Sequence, residues 1–169
     1  MRTTVRDVLS KAGEEPITML TAYDAVTAEI VDERGVDVIL VGDSVGNTSH
    51  GHETTLPVTV DQMADHTAAV ARGAEDALVV ADMPFLSYGH DDKESIENAG
   101  RMLKEAGAHA VKLESGPHTV ELTEKLSHLG IPVMAHLGLT PRSVNQQGYA
   151  LQGTSEEAAD RLLELAEAH

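Results

Sequence analysis

The chain has 169 residues, with 28 acidic against 12 basic side chains and a formal net charge of −16. A surface this acidic argues against nucleic acid and anionic membranes as partners, because both attract basic surfaces. The absence of cysteine excludes disulfides, thiolate catalysis and cysteine-ligated zinc. The acid-rich composition favours a salt-adapted, halophilic protein over an ordinary acidic enzyme.

The hydrophobic pattern contains no run long enough for a transmembrane helix, and the first residues lack the apolar core of a signal peptide. We therefore expect a cytoplasmic protein. The length suits one domain over residues 1–169.

Helices and strands alternate along the chain, as judged from apolar periodicity, capping boxes and the glycines predicted to end helices, which are Gly35, Gly73, Gly107 and Gly130. The predicted elements are a helix over 1–12, a strand over 17–22, a helix over 25–34, a strand over 36–43, a helix over 60–72, a strand over 77–82, a helix over 92–106, a strand over 110–114, a helix carrying Leu122, Leu126 and Leu129, a strand over 131–136, and a helix opened by Thr154. Residues 44–58 are predicted to form a long loop, and loops of this length are usually functional.

This alternation predicts an α/β fold with a parallel sheet. A doubly wound open sheet and a (β/α)8 TIM barrel are the two candidates, and acids at the ends of several strands favour the barrel. A barrel needs eight units, whereas the chain supplies about five, so we expect a partial barrel.

Three acids mark the ends of successive predicted strands: Asp43, Asp82 and Glu114. Carboxylate oxygens suit Mg²⁺ or Mn²⁺, so the three predict a metal site at one rim. Each acid alone has the alternative of capping a turn or helix, which explains three together poorly. Lys112 and Glu114 lie two apart on one strand and face the same side, inside a barrel. The alternative for this pair is a structural ion pair.

Other polar residues are weighed in the same way. Ser44 either holds a carboxylate or is a simple turn serine. His136 ends a strand at the same rim, which favours a substrate contact. His50 and His52 either line the site or lie on the loop surface, whereas His66 lies within a helix and is better explained by the core or the surface.

Several ordered motifs resemble the ketopantoate hydroxymethyltransferase family, which belongs to the phosphoenolpyruvate/pyruvate barrel superfamily and forms ring-shaped oligomers. The motifs are Met19-Leu-Thr-Ala-Tyr-Asp24, Val41-Gly-Asp-Ser-Val-Gly46, Thr55-Leu-Pro-Val-Thr59, Asp82-Met-Pro-Phe-Leu-Ser-Tyr88, Val111-Lys-Leu-Glu114, His136-Leu-Gly-Leu-Thr-Pro141, Gln146-Gln-Gly-Tyr149 and Leu151-Gln-Gly153.

The resemblance implies a one-carbon transferase of pantothenate and coenzyme A biosynthesis. Its substrates are 3-methyl-2-oxobutanoate and 5,10-methylenetetrahydrofolate or a pterin equivalent, and its product is 2-dehydropantoate. It implies Mg²⁺ at Asp43, Asp82 and Glu114. It also implies substrate contacts from five residues: Asp43, Ser44, Asp82, Lys112 and His136.

The family's general base is a Glu on the next strand, which we expect beyond His169, so no catalytic base is assigned within this chain. This chain alone is therefore expected to be inactive. The alternatives are a related Mg²⁺-dependent 2-oxo acid lyase or mutase of the same superfamily, and a non-catalytic fragment that lacks the general base.

Overall fold

The structure is a computed structural model that describes residues 1–140 and 151–169. The motif Gln146-Gln-Gly-Tyr149 lies outside the described residues. The helices are α1 (Val5–Lys11), α2 (Ala25–Asp32), α3 (Val45–Thr48), α4 (Val60–Gly73), α5 (Asp92–Lys104), α6 (Val120–His128) and α7 (Glu156–Ala168), with a 3₁₀ turn at Pro117–Thr119. The strands are β1 (Met19–Thr21), β2 (Val38–Val41), β3 (Leu78–Asp82), β4 (Ala110–Glu114) and β5 (Val133–His136).

The five strands form one parallel sheet in the order β1-β2-β3-β4-β5. A doubly wound sheet would reverse its strand order at a switch point, whereas a (β/α) barrel adds each new strand to the same side. The sequential order is therefore that of a barrel, as predicted.

Apolar side chains cover both faces of the central strands. Ile39 and Val79 are fully buried on the outer face, in the larger core beneath the helices. Val38 and Val80 point the other way, into a smaller cluster against which Val5 of α1 packs. Strands that are buried on both faces have continuous hydrophobic sequences. The sequence therefore predicts β2 and β3 directly.

Glycines mark the ends of helices at all four predicted positions, in two different ways. Gly35, Gly107 and Gly130 have φ of 73°, 78° and 81°, in the left-handed region that favours glycine. Gly73 closes its helix as predicted, because it is the last residue of α4, but its φ is not in that left-handed region. A Cβ at Gly73 would lie 2.1 Å from the carbonyl oxygen of Ala25, so glycine there permits α4 to approach α2 closely.

Local capping corrects several other predicted boundaries. The first helix begins at Val5 because Thr4 and Asp7 form a capping box. The predicted loop over 44–58 contains the short helix α3. Ser155, and not Thr154, caps α7. Leu129 follows the end of α6 and is 60% exposed, so it does not belong to the buried face of that helix.

No helix among residues 1–140 and 151–169 is long and apolar enough to cross a membrane.

Candidate active site

Polar side chains gather at the carboxyl ends of β2 to β5. The register pairs Asp82 with Lys112 and Glu114 with His136. Paired residues of neighbouring strands face the same side of a sheet, so these four lie on the inner face near one rim. Asp43 follows β2 at the same end of the sheet. The sheet therefore brings together the strand-end residues that the sequence singled out.

An ion pair joins two of these strands. The Lys112 Nζ atom lies 2.6 Å from Asp82 Oδ1, and the two side chains are 14% and 8% exposed. The prediction considered Lys112 together with Glu114, but the partner in this ion pair is on the neighbouring strand. Removing one member would leave a buried charge without its partner, which is strongly destabilising.

The second oxygen of Asp82 fixes the chain after β2. The backbone N–H of Asp43 donates to Asp82 Oδ2 at 3.1 Å. A Cβ on Gly42 would lie 2.8 Å from Ser44 Oγ and 3.5 Å from Asp82 Oδ2. Glycine at position 42 therefore lets the Asp82 carboxylate and the Ser44 hydroxyl approach the backbone of this turn.

Burial and negative neighbours raise the pKa of Asp43 to about 6. Desolvation is the largest cause, followed by repulsion from Asp82 and Glu114, while Lys112 and a hydrogen bond from Thr55 lower it in part. Three carboxylates thus share one lysine at this rim. The site has a local excess of negative charge, and a cation would relieve it.

Asp43, Asp82 and Glu114 are the side chains that could hold a metal ion at this rim. Carboxylate oxygens with a surplus of negative charge are the environment that Mg²⁺ prefers. In residues 1–140 and 151–169, no three His, Asp or Glu side chains are already arranged as a ligand set. Both Asp82 oxygens are engaged by Lys112 and the Asp43 amide. The donor chemistry fits a divalent cation, and the metal assignment stays a prediction.

Ser44 is held by a residue that the sequence analysis did not assign. Tyr23 Oη and Ser44 Oγ are 2.8 Å apart. The backbone carbonyl of Tyr23 lies 2.8 Å from His66 Nδ1, and His66 Nε2 lies 3.0 Å from His50 Nε2. The tyrosine could have been found from the motif that contains it, but its contact with Ser44 depends on the tertiary fold.

Three of the histidines, His50, His52 and His66, lie together, apart from His136 at the end of β5. His50 and His66 form a pair behind Tyr23, and His52 stacks edge-on to His50 with ring centroids 5.9 Å apart. His66 is half-buried and was correctly placed within a helix. A role for His50 or His52 in lining the site stays a prediction.

His136 has the features of a ligand contact. Desolvation, followed by the charge of Lys112, lowers the pKa of His136 below its ordinary value, which favours the neutral ring. Its Nδ1 atom is buried and has no hydrogen-bond partner among the described residues. Buried polar atoms are usually paired, so an unpaired ring nitrogen at this rim is suited to a bound molecule.

A second tyrosine, which sequence reasoning also missed, supports Glu114. The Glu114 backbone N–H donates to Tyr88 Oη at 2.8 Å, and Tyr88 Oη lies 3.3 Å from the Glu114 carbonyl oxygen. Tyr88 is 6% exposed. The segment after β3 is thereby attached to the end of β4.

A family model described as ketopantoate hydroxymethyltransferase matches residues 2–169. The chain belongs to the ketopantoate hydroxymethyltransferase family. A 3-methyl-2-oxobutanoate hydroxymethyltransferase of Haloarcula marismortui is 71% identical over 98% of this chain, and one of Natronomonas pharaonis is 68% identical over 97%. Both relatives come from halophilic archaea, in keeping with the expected salt adaptation. A relative of the same name from Pseudothermotoga lettingae is 55% identical over 94% of the chain.

The chain covers 62%, 61% and 60% of these three relatives. Among solved structures, a phosphoenolpyruvate phosphomutase from Streptomyces platensis matches with a TM-score of 0.66 and 18% identity, over 95% of this chain and 60% of that one. A 2,3-dimethylmalate lyase, a member of the PEP mutase/isocitrate lyase superfamily, matches with a TM-score of 0.64 and 15% identity, over 99% and 60%. These structures confirm that this member of the ketopantoate hydroxymethyltransferase family has the predicted barrel fold.

Proposed function

We propose that this protein acts in the transfer of a hydroxymethyl group from 5,10-methylenetetrahydrofolate, or a pterin analogue, to 3-methyl-2-oxobutanoate, forming 2-dehydropantoate. The observation that carries the proposal is the rim of the sheet. There Asp43, Asp82 and Glu114 surround one buried lysine in a chain of this family. In the overall reaction the C3–H bond of the oxo acid breaks and a bond from C3 to the one-carbon unit forms. Both C–N bonds of the methylene carbon break, water supplies the new hydroxyl group, and the reduced pterin carrier leaves with one proton from C3 and one from water.

Three side chains provide contacts for the oxo acid, and a fourth positions one of them. Lys112 supplies positive charge where negative charge develops on the keto oxygen, and its low exposure makes that charge effective. Ser44, oriented by Tyr23, offers a hydroxyl to the substrate carboxylate. His136 offers its buried Nδ1, and Asp82 holds Lys112 in position.

A divalent cation would be held by Asp43 and Asp82, with Glu114 beside them, and Mg²⁺ is the ion that such ligands favour. When bound, it supplies a Lewis acid that favours enolate formation. Ionised carboxylates at this rim suit that role.

Apolar side chains limit water beside these carboxylates. Met83, Phe85, Leu86 and Tyr88 line a small cavity together with Asp43, Thr55 and Glu114. Excluding water strengthens the electrostatic interactions at the site and protects a carbanion-like species from protonation.

Titration of the protein with 3-methyl-2-oxobutanoate, followed by NMR with and without Mg²⁺, tests the proposal. We expect Mg²⁺ to tighten binding in the wild type and Asp43→Ala to remove this dependence, because the metal loses a ligand. Lys112→Met should weaken oxo acid binding by about ten-fold or more, since a charge-assisted contact contributes about 1.5–3 kcal/mol.

Asp65→Asn is the matched control, because it removes a carboxylate from an exposed position of α4. It should leave both affinities unchanged. Binding that is equally tight without Mg²⁺ and in Asp43→Ala would contradict the proposed site.

A further inference from the structure

A groove lies beside the candidate active site, between the segment that precedes α4 and the segment that follows β3. Leu56, Pro57 and Val58 line one side, and Phe85 and Leu86 line the other. The groove encloses about 490 Å³. This volume is within the range of about 300–1,000 Å³ that is typical of small-molecule sites.

The groove shares a wall with the cavity that contains two of the proposed metal-binding carboxylates. Phe85 and Leu86 line the groove and also line the small cavity that contains Asp43 and Glu114. A molecule in the groove is therefore separated from the site of enolate chemistry by these two side chains. The groove is thus next to the cavity that contains Asp43 and Glu114, and a second substrate that reacts with the oxo acid must bind close to that cavity.

The shared wall is itself unusual. Leu86 has φ of 60°, a conformation that is strained for a residue with a branched side chain. Leu86 is 63% exposed, and Phe85 is 39% exposed. Strained, exposed apolar residues beside an active site are typical of segments that contact a ligand.

Polar groups of α5 complete the groove. Asn98 Nδ2 donates to the carbonyl oxygen of Ser87 at 2.9 Å, which fixes the segment after β3 against α5. Glu94 also lines the groove, and its Oε2 atom lies 3.1 Å from His90 Nε2. Among the described residues, His90 is the hydrogen-bond partner of the Glu94 carboxylate.

Apolar side chains beside a carboxylate fit a ring with apolar faces and a hydrogen-bond-donating edge. The 2-amino-4-oxo edge of a pterin presents an amino group and an adjacent ring N–H, and a carboxylate accepts such a pair of donors with two oxygens. An aromatic side chain such as Phe85 offers a face on which the ring can stack.

We propose that this groove binds the pterin ring of the one-carbon donor, with Glu94 accepting from its amino edge and Phe85 and Leu86 contacting its faces. The inference rests on the proposed function for the identity of the second substrate. It goes beyond that function by locating the donor outside the ring of carboxylates.

Phe85 provides a selective probe, because it is the single phenylalanine of the chain. Protein labelled with 4-fluorophenylalanine gives one ¹⁹F resonance, which is followed during titration with tetrahydrofolate under anaerobic conditions. We expect a saturable shift. Glu94→Gln should weaken the affinity by about ten-fold, since one charge-assisted pair is lost.

Glu97→Gln is the matched control. Glu97 lies on the same helix, is paired with Lys93 at 3.7 Å and does not line the groove. The control should bind tetrahydrofolate as the wild type does. Equal losses in both variants, or a ¹⁹F resonance unmoved by tetrahydrofolate, would overturn the groove assignment.

Two further measurements separate the possible failures. Binding of 3-methyl-2-oxobutanoate with Mg²⁺ should be unchanged in Glu94→Gln. If the oxo acid binds but tetrahydrofolate does not, the groove proposal fails while the proposed function survives. Loss of oxo acid binding in the wild type contradicts the proposed function instead. A ¹⁹F shift that depends on protein concentration alone would assign the groove to contact between copies of the chain, and would also overturn the inference.

Discussion

The two ends of β2 carry an aspartate each, and the two aspartates are in opposite electrostatic states. Asp37 precedes the strand, accepts from Lys11 Nζ at 2.6 Å and from the Thr18 backbone N–H at 2.8 Å, and its pKa is lowered to about 2. Asp43 follows the strand, and its pKa is raised to about 6. The hydrogen bond from Lys11 is the largest cause of the first shift, and desolvation is the largest cause of the second.

The two aspartates therefore serve different purposes: the one at the amino end of β2 contributes to stability, and the one at the carboxyl end belongs to the candidate site. At the amino end the carboxylate is fully satisfied, and it ties α1 and the start of β1 to the sheet. At the carboxyl end the carboxylate is crowded by Asp82 and Glu114, so its ionised form is disfavoured in the absence of a ligand. In this fold, residues at the amino ends of the strands generally serve stability, and residues at the carboxyl ends serve the chemistry.

The largest expected effect comes from removing the satisfied carboxylate. Asp37→Ala leaves Lys11 and the Thr18 amide without their acceptor, so we expect a loss of about 3 kcal/mol in the free energy of unfolding at pH 7. Urea unfolding measures this loss. The Asp37 contribution is present above its unfolded pKa of 3.8 and is lost as the pH falls through about 2. A variant as stable as the wild type would show that this end of the strand does not carry the stability assigned to it.

The opposite sign is expected at the other end. Asp43→Asn removes a charge that folding disfavours, so it should stabilise the metal-free protein by about 1–2 kcal/mol at pH 7, after allowance for partial exposure. Because the folded pKa is raised from 3.8 to about 6, the Asp43 contribution makes the wild type lose stability as the pH rises through that interval. The difference between variant and wild type, measured by urea unfolding in EDTA, should shrink towards pH 4. A destabilised variant at pH 7 would contradict the crowding of carboxylates described here.

A glycine lies near each end of β2, and the two are expected to respond differently to substitution. Gly35→Ala introduces a side chain at φ of 73° in open space, so it should cost about 1 kcal/mol of stability and leave oxo acid binding intact. Gly42→Ala places a Cβ 2.8 Å from Ser44 Oγ, so it should weaken oxo acid binding in the presence of Mg²⁺ more than it changes stability. Thermal unfolding and NMR titration of both variants measure the two quantities. Equal effects of the two substitutions on oxo acid binding would contradict the assignment of binding to the carboxyl end of β2 and of stability to its amino end.

The smallest effect concerns the whole surface and not one end. A net charge of −16 on 169 residues opposes compaction, and salt screens this repulsion over about 10 Å at about 0.1 M. The melting temperature should therefore rise by several degrees between about 0.1 M and molar KCl. The Asp37→Ala and wild-type curves should rise in parallel, because a partly buried pair is screened less than the surface. A flat curve for the wild type would remove the case for salt adaptation.

Much of this molecule follows from the sequence itself. The continuous apolar runs of β2 and β3, and the placement of Asp43, Asp82 and Glu114 at strand ends, were predicted because burial on both faces leaves a local signal in the order of residues. Gly35, Gly107 and Gly130 were placed correctly for the same reason, since a left-handed residue after a helix is a local requirement. The tertiary structure alone decided that Lys112 pairs with Asp82, that Tyr23 holds Ser44, and that Gly73 serves the contact with Ala25. It also decided the opposite pKa shifts of Asp37 and Asp43, because both depend on charges and burial supplied by distant parts of the chain. No pattern of neighbouring residues encodes such distances through space.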